Sequence, residues 1–291
     1  MVNLANIISL LDEGVIPSFK ETTALNLAST YKEISTLSHK NSDLFLLGVE
    51  KFYEEKSLGE EIRSFDDFFE LALIFDRDKN SINRFFDACL GLRTIGNLAK
   101  FDQIVQEKQS GIEKDQRVRG SFEYAHTQTH YSLLMDIFNY LRPASKSSIV
   151  DVGAGFGRVG FFLNLCFPEL NYLGLEIVQE RVECAEKISK KNNFKNCQFQ
   201  VQNLAEESYV LPKADFYYFY DPLNEKDLKK VILDLENQHK LNAAKFSVIA
   251  LSGYDDFLLE HLKKQNWLQV VRSVEDHYFK QAGLILQTIN T

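Results

Sequence analysis

One stretch constrains this chain more than any other: Ser148-Ile149-Val150-Asp151-Val152-Gly153-Ala154-Gly155-Phe156-Gly157-Arg158. A short apolar run carries a single acid and breaks into alternating glycines. Val159, Phe161, Phe162 and Leu165 follow at helical spacing. The expected unit is a buried strand, a glycine-rich turn and a helix. Glycine lets the backbone turn sharply and approach a ligand closely, and the N–H groups of a helix N-terminus face outward. Such a unit suits a nucleotide-like ligand.

Two readings compete for the same glycines. Gly155-Phe156-Gly157-Arg158-Val159-Gly160 fits G-x-G-x-x-G, the dinucleotide fingerprint. In that fingerprint the first glycine follows the strand directly, whereas here Gly153 and Ala154 would be left over. The alternative is Asp151-x-Gly153-x-Gly155-x-Gly157, with an acid at the strand end two residues before the first glycine. That pattern resembles motif I of the class I S-adenosylmethionine (SAM) dependent methyltransferases. The resemblance implies that Asp151 orders the loop and the amino-acid end of SAM. Gly153, Ala154, Gly155 and Gly157 would pass beneath the cofactor.

Three later stretches agree. Asn171 to Glu176 is a short β-type run ending in an acid, 25 positions after Asp151. In a nucleotide-binding βαβ unit an acid at the end of the second strand accepts ribose hydroxyls, which assigns that role to Glu176, with Ile177 beside it. Cys197 to Val201 alternates apolar and polar residues as a strand does. The resemblance sets Asn203 and Leu204 against the adenine, although Asn at a strand end is also a common turn former. Ala214 to Asn224 is aromatic-rich and ends in Asp221-Pro222, where proline fixes φ and stops a strand ladder. It resembles motif IV, which borders the transferred methyl group. Leu223 and Asn224 depart from the Asp-Pro-Pro-Tyr form of amino-methylating enzymes and lie nearer the Asn/Asp-Pro-Phe form of some bacterial members. Asp221 is the expected residue to orient or deprotonate the acceptor, with Tyr218 and Tyr220 as lesser candidates.

Ahead of motif I, Tyr124-Ala125-His126-Thr127-Gln128-Thr129-His130-Tyr131 leads into a helix through Leu133, Leu134, Ile137, Phe138 and Leu141. It partly resembles a Tyr-x-Pro-Thr-Pro-Tyr segment of some bacterial methyltransferases, with both prolines absent. On that resemblance Thr129 or Tyr131 contacts the methionine moiety. His126 or His130 is a candidate base near neutral pH, against the plainer reading of each as a helix-entry or surface residue.

The whole chain is long enough at 291 residues for one large or two modest domains. A 45% hydrophobic fraction with a formal net charge of −8 is an ordinary soluble composition and gives no support to nucleic-acid binding. Met1 to Leu11 has no basic start, and no run of about 18 apolar residues occurs, so neither a secretory signal nor a membrane span is expected. The four cysteines have no close paired spacing, so reduced thiols in a cytoplasmic protein are expected and no metal site.

Residues 1–120 are read as a helical N-terminal domain, from periodic groups such as Leu4, Ile7, Ile8 and Leu11, or Phe68, Phe69, Leu71 and Phe75. The polar stretch 106–123 marks the boundary to a SAM-binding domain over 121–291. Leu228, Val231, Ile232 and Leu235 predict a helix, and Phe246 to Gly253 a buried strand. Trp267 to Val274 and Ala282 to Thr288 predict an antiparallel edge hairpin. The expected fold is α/β: a Rossmann-like seven-stranded sheet with helices on both faces, preceded by helices. The expected function is methyl transfer from SAM to a small molecule or protein side chain, in preference to a nucleic acid. Two alternatives stand beside it: a non-catalytic SAM-binding module, and an NAD-linked oxidoreductase using Gly155 to Gly160.

Overall fold

A computed structural model of the protein describes Leu92 and residues 129–289, except 243, 254–256 and 277–280. The helices expected over 1–120 (Leu92 apart), the 106–123 boundary and His126 lie outside the described residues.

Among the described residues the helices and strands are, in chain order, α1 (Tyr131–Leu141), β1 (Ser148–Val152), α2 (Arg158–Cys166), β2 (Asn171–Glu176), α3 (Gln179–Lys191), β3 (Cys197–Val201), β4 (Phe216–Tyr220), α4 (Glu225–Asn242), β5 (Ser247–Ser252), α5 (Phe257–Lys263), β6 (Leu268–Asp276) and β7 (Gln281–Thr288). The seven strands form one sheet in the order β3-β2-β1-β4-β5-β7-β6. The first five are parallel, and β7 runs antiparallel between β5 and β6. This is the sheet expected, with the antiparallel β6–β7 pair at its edge.

Side-chain parity sorts the sheet into two cores, because successive strand residues point to opposite faces. Ile149, Tyr172, Phe199, Tyr218, Ile249 and Leu251 share one core with the buried stripes of α1, α2 and α3. Val150, Val152, Leu175, Tyr217, Phe219, Val248 and Ala250 share the other with α4, α5 and Trp267. Strands buried on both sides read as continuous apolar runs, which is why β1, β4 and β5 were visible as strands without alternation. Each fully buried aromatic or leucine contributes roughly 1.5–3 kcal/mol.

Strand order reverses at β1. The chain builds outward through β2 and β3, then returns to lay β4 on the opposite side of β1. In open α/β sheets such a switch point, at the C-terminal ends of the two central strands, is where ligands bind. The loops there are Gly153–Gly157 after β1 and Asp221–Asn224 after β4.

Candidate functional site: the crevice between β1 and β4

The glycine loop is fastened to β2. The N–H groups of Gly153 and Ala154 both reach the Leu175 carbonyl at 2.9 Å, and Gly157 N–H closes the turn on the Ala154 carbonyl at 2.9 Å. Gly153 has φ +84°, and a Cβ there would stand 2.6 Å from Cβ of Pro222. That contact brings the loop after β1 against the loop after β4, and only glycine satisfies both the backbone angle and the space. Gly155 differs: φ is +56°, but a Cβ would meet nothing within 4 Å. Among the described residues, space for a side chain is therefore left at Gly155 and not at Gly153.

Glu176 ends β2 and is 4% exposed. Its Oε2 accepts from Gly155 N–H at 2.9 Å and its Oε1 from Val178 N–H at 3.0 Å. The Arg181 guanidinium stands 3.6 Å from Oε2 and also covers the Phe156 ring at 5.6 Å. A carboxylate oxygen carries about two lone pairs, so Oε1, with one backbone donor, has capacity for a second, whereas Oε2 also faces Arg181. Ile177, next in the chain, is 44% exposed although apolar. A fixed carboxylate, an open glycine cradle and an exposed aliphatic side chain in series suit a ribose, the backbone of a nucleoside ligand and a flat base.

Asp151 is placed differently. It faces the α2 side of the sheet at 2% exposure, and its Oδ2 accepts from the Tyr172 hydroxyl at 2.6 Å. Burial pushes its pKa up from 3.8 to about 7; the Tyr172 hydrogen bond lowers it and the nearby Glu176 charge raises it. The Asp151 carboxyl is thus tied to Tyr172 of β2. Tyr172 reaches it because Gly160 presents no side chain: a Cβ there would collide with the Tyr172 ring. The third glycine of the dinucleotide pattern is thus a packing residue against β2.

After β4 the chain turns through Asp221, whose φ of 39° is left-handed. Its N–H reaches the Leu251 carbonyl at 3.3 Å, while its Oδ2 accepts from Gly253 N–H at 2.8 Å and Ser252 Oγ at 3.1 Å. The carboxylate is thereby held at the C-terminal ends of β4 and β5 in a conformation that costs of order 1 kcal/mol. Tyr220 stands beside it, its hydroxyl accepting from Gln281 Nε2 at 2.8 Å. Asn224 is a helix cap: its Oδ1 accepts from Asp227 N–H at 3.0 Å and its Nδ2 donates to Asp227 Oδ2 at 2.6 Å. This accounts for the departure from an aromatic residue at that position.

The remaining expected residues are placed as follows. Asn203 Oδ1 accepts from Ala205 N–H at 3.0 Å, the local turn its residue type favours, and Leu204 is buried in the α4-side core. Thr129, His130 and Tyr131 are all buried. The Thr129 hydroxyl bonds the Tyr218 hydroxyl, Tyr131 packs on Phe162, and His130 is the residue before α1. Burial raises the Tyr218 pKa well above its usual range. Sequence reasoning did not find Tyr172, Arg158, Arg181 or the Ser252–Gly253 hold on Asp221. Only Asn224-x-x-Asp227 carried a local signal, that of a helix cap.

An open cleft of about 540 Å³ lies between the end of α3 and the start of β3, lined by Lys190, Asn193, Lys195 and Cys197 among others. It sits at the opposite end of the sheet from the crevice.

Comparison with known proteins gives three findings. The family model described as a methyltransferase domain matches residues 143–275. Release factor glutamine methyltransferase of Aliivibrio fischeri is 25% identical over 161 residues, which take in 50% of this chain and 54% of that protein. The chain thus spans about half the length of this curated relative. Among solved structures, TrmN from Thermus thermophilus superposes with a TM-score of 0.46 at 14% identity, over 55% of this chain and 49% of that one. A SAM-dependent methyltransferase from Aquifex aeolicus gives 0.44 at 13%, over 54% and 89%.

Proposed function

We propose that residues 143–275, which the methyltransferase-domain family model matches, form a SAM-binding domain of the class I, Rossmann-like kind, and that the protein transfers the methyl group of SAM to an acceptor held at Asp221. The observation that supports this most is the pairing of a preset ribose acceptor with an open loop. Glu176 is fixed by two backbone N–H groups, one of them that of Gly155, where a Cβ would meet none of the described residues within 4 Å.

In this reading Glu176 takes the ribose hydroxyls. Gly153, Ala154, Gly155 and Gly157 form the floor, Ile177 and Leu204 flank the base, and Asn203 offers its amide NH₂ to the base edge. Asp151 holds the loop from below. Thr129 and Tyr131 back the methionine end from the α1 side. Bound SAM supplies a methyl group made electrophilic by the sulfonium. The chain contributes position and a dry site. Asp221 orients the attacking atom and receives or directs its proton. His130, with its ring buried, belongs to the wall behind rather than to the acceptor. We place the acceptor among small molecules or protein side chains; the acidic charge of the chain disfavours nucleic acid, and the named relative acts on a glutamine of a protein.

The test is Asp221→Ala in a methyl-transfer assay against candidate acceptors. Turnover should fall at least about 100-fold while SAM affinity stays within about threefold, or about 0.7 kcal/mol. Full turnover with tight SAM binding would remove Asp221 from the reaction.

A further inference from the structure

Arg158 is the first residue of α2, directly after the last glycine of the loop, and is 4% exposed. A cation is unfavourable at both counts. The N-terminal end of a helix dipole repels positive charge, and burial strips the guanidinium of water. Its contacts explain why it is tolerated. Nη1 donates to the backbone carbonyl of Thr129 at 3.1 Å, and the guanidinium lies over the Tyr131 ring, 5.1 Å from the centroid. Thr129 is thus held at two points. Arg158 holds its carbonyl from the glycine loop, and Tyr218 holds its hydroxyl from β4, three residues before Asp221. Thr129, ahead of α1, is tied at once to the first residue of α2 and to the strand leading into the Asp-Pro turn.

We propose that Arg158 is a positioning residue for the cofactor: through the Thr129 carbonyl and the Tyr131 ring it fixes the 129–131 segment as the rear wall of the crevice and sets the gap between the glycine loop and that wall. The inference rests on the reading of the crevice as a SAM site. Arg158 acts through the 129–131 segment, and lysine cannot replace it, because a point charge on a flexible stem cannot both cover a ring and donate in a fixed plane.

The experiment is isothermal titration of the demethylated product, S-adenosylhomocysteine, into wild type, Arg158→Lys and Phe162→Leu. The last loosens the packing of α2 on Tyr131 without touching the guanidinium. Thermal melts without ligand give the stability of each. If Arg158→Lys gives no folded protein, Arg158→Gln, which keeps an N–H donor, takes its place. The expected result is about a tenfold or greater loss of affinity in the Arg158 variant, and less than about twofold in Phe162→Leu, or roughly 0.4 kcal/mol. Equal affinity in wild type and the Arg158 variant overturns the positioning role. So does an equal affinity loss in Arg158→Lys and Phe162→Leu, which would mark general loosening. Failure of wild type to bind would instead overturn the SAM reading on which the inference stands.

Discussion

Asp151→Asn should remove a pH dependence built into the sheet. In the folded protein burial raises the Asp151 pKa from 3.8 to about 7. Below about pH 4 the carboxyl is protonated in folded and unfolded chains alike, and it costs nothing electrostatically. Between about pH 4 and 7 the unfolded chain releases the proton while the folded chain keeps it, so stability falls as pH rises. Above about pH 7 both forms are ionised and the loss is complete. A displacement from 3.8 to about 7 corresponds to on the order of 4 kcal/mol. Asparagine does not titrate, and its Oδ1 accepts the Tyr172 hydroxyl as the carboxylate does. Urea unfolding of both proteins at a series of pH values separates this effect from all other groups, which titrate in both and cancel in the difference. The stability of Asp151→Asn relative to wild type should rise by up to ~4 kcal/mol between about pH 4 and 8, then level off. A difference that stays constant to within ~0.5 kcal/mol over that range would show that burial does not hold the carboxyl neutral.

The two central glycines should fail differently. Gly153→Ala meets Pro222 and an unfavourable φ, and should lose roughly 2–4 kcal/mol of stability in thermal or urea unfolding. Gly155→Ala has open space around it and should lose only about 1 kcal/mol, while weakening SAM binding more than about tenfold in a titration. Equal effects of the two on stability would contradict the contact between the loops. Asn224→Ala removes the cap of α4 and should cost about 1 kcal/mol. If it abolished turnover without changing stability, Asn224 would belong to the acceptor site.

The sheet was legible because both of its signals are local. Buried parallel strands are apolar runs of about five residues, as in Phe246 to Leu251 and Phe216 to Phe219, and each ends at a glycine or proline. The two acids at strand ends, Asp151 and Glu176, were legible by their spacing along the chain. The direction each side chain takes was not. Asp151 and Glu176 share one face of the sheet, yet the first turns down onto Tyr172 and the second is held at the loop by Gly155 N–H. That outcome depends on the β1–β2 register, in which Ile149 pairs with Tyr172 and Asp151 with Gly174. The hold on Asp221 came from β5, more than thirty positions later, and the Arg158–Thr129 contact joins residues 29 positions apart. No local periodicity encodes such pairings. By contrast, the Asn224–Asp227 cap is written within four residues.

Titration of the purified protein and of Glu176→Ala with SAM, S-adenosylhomocysteine and NAD tests the central claim most directly. The account predicts that wild type binds the first two and not NAD. It also predicts that Glu176→Ala, still folded by circular dichroism, loses at least about 100-fold in affinity, since two charge-assisted hydrogen bonds are removed. Binding of NAD alone, or SAM affinity unchanged in Glu176→Ala, would contradict it.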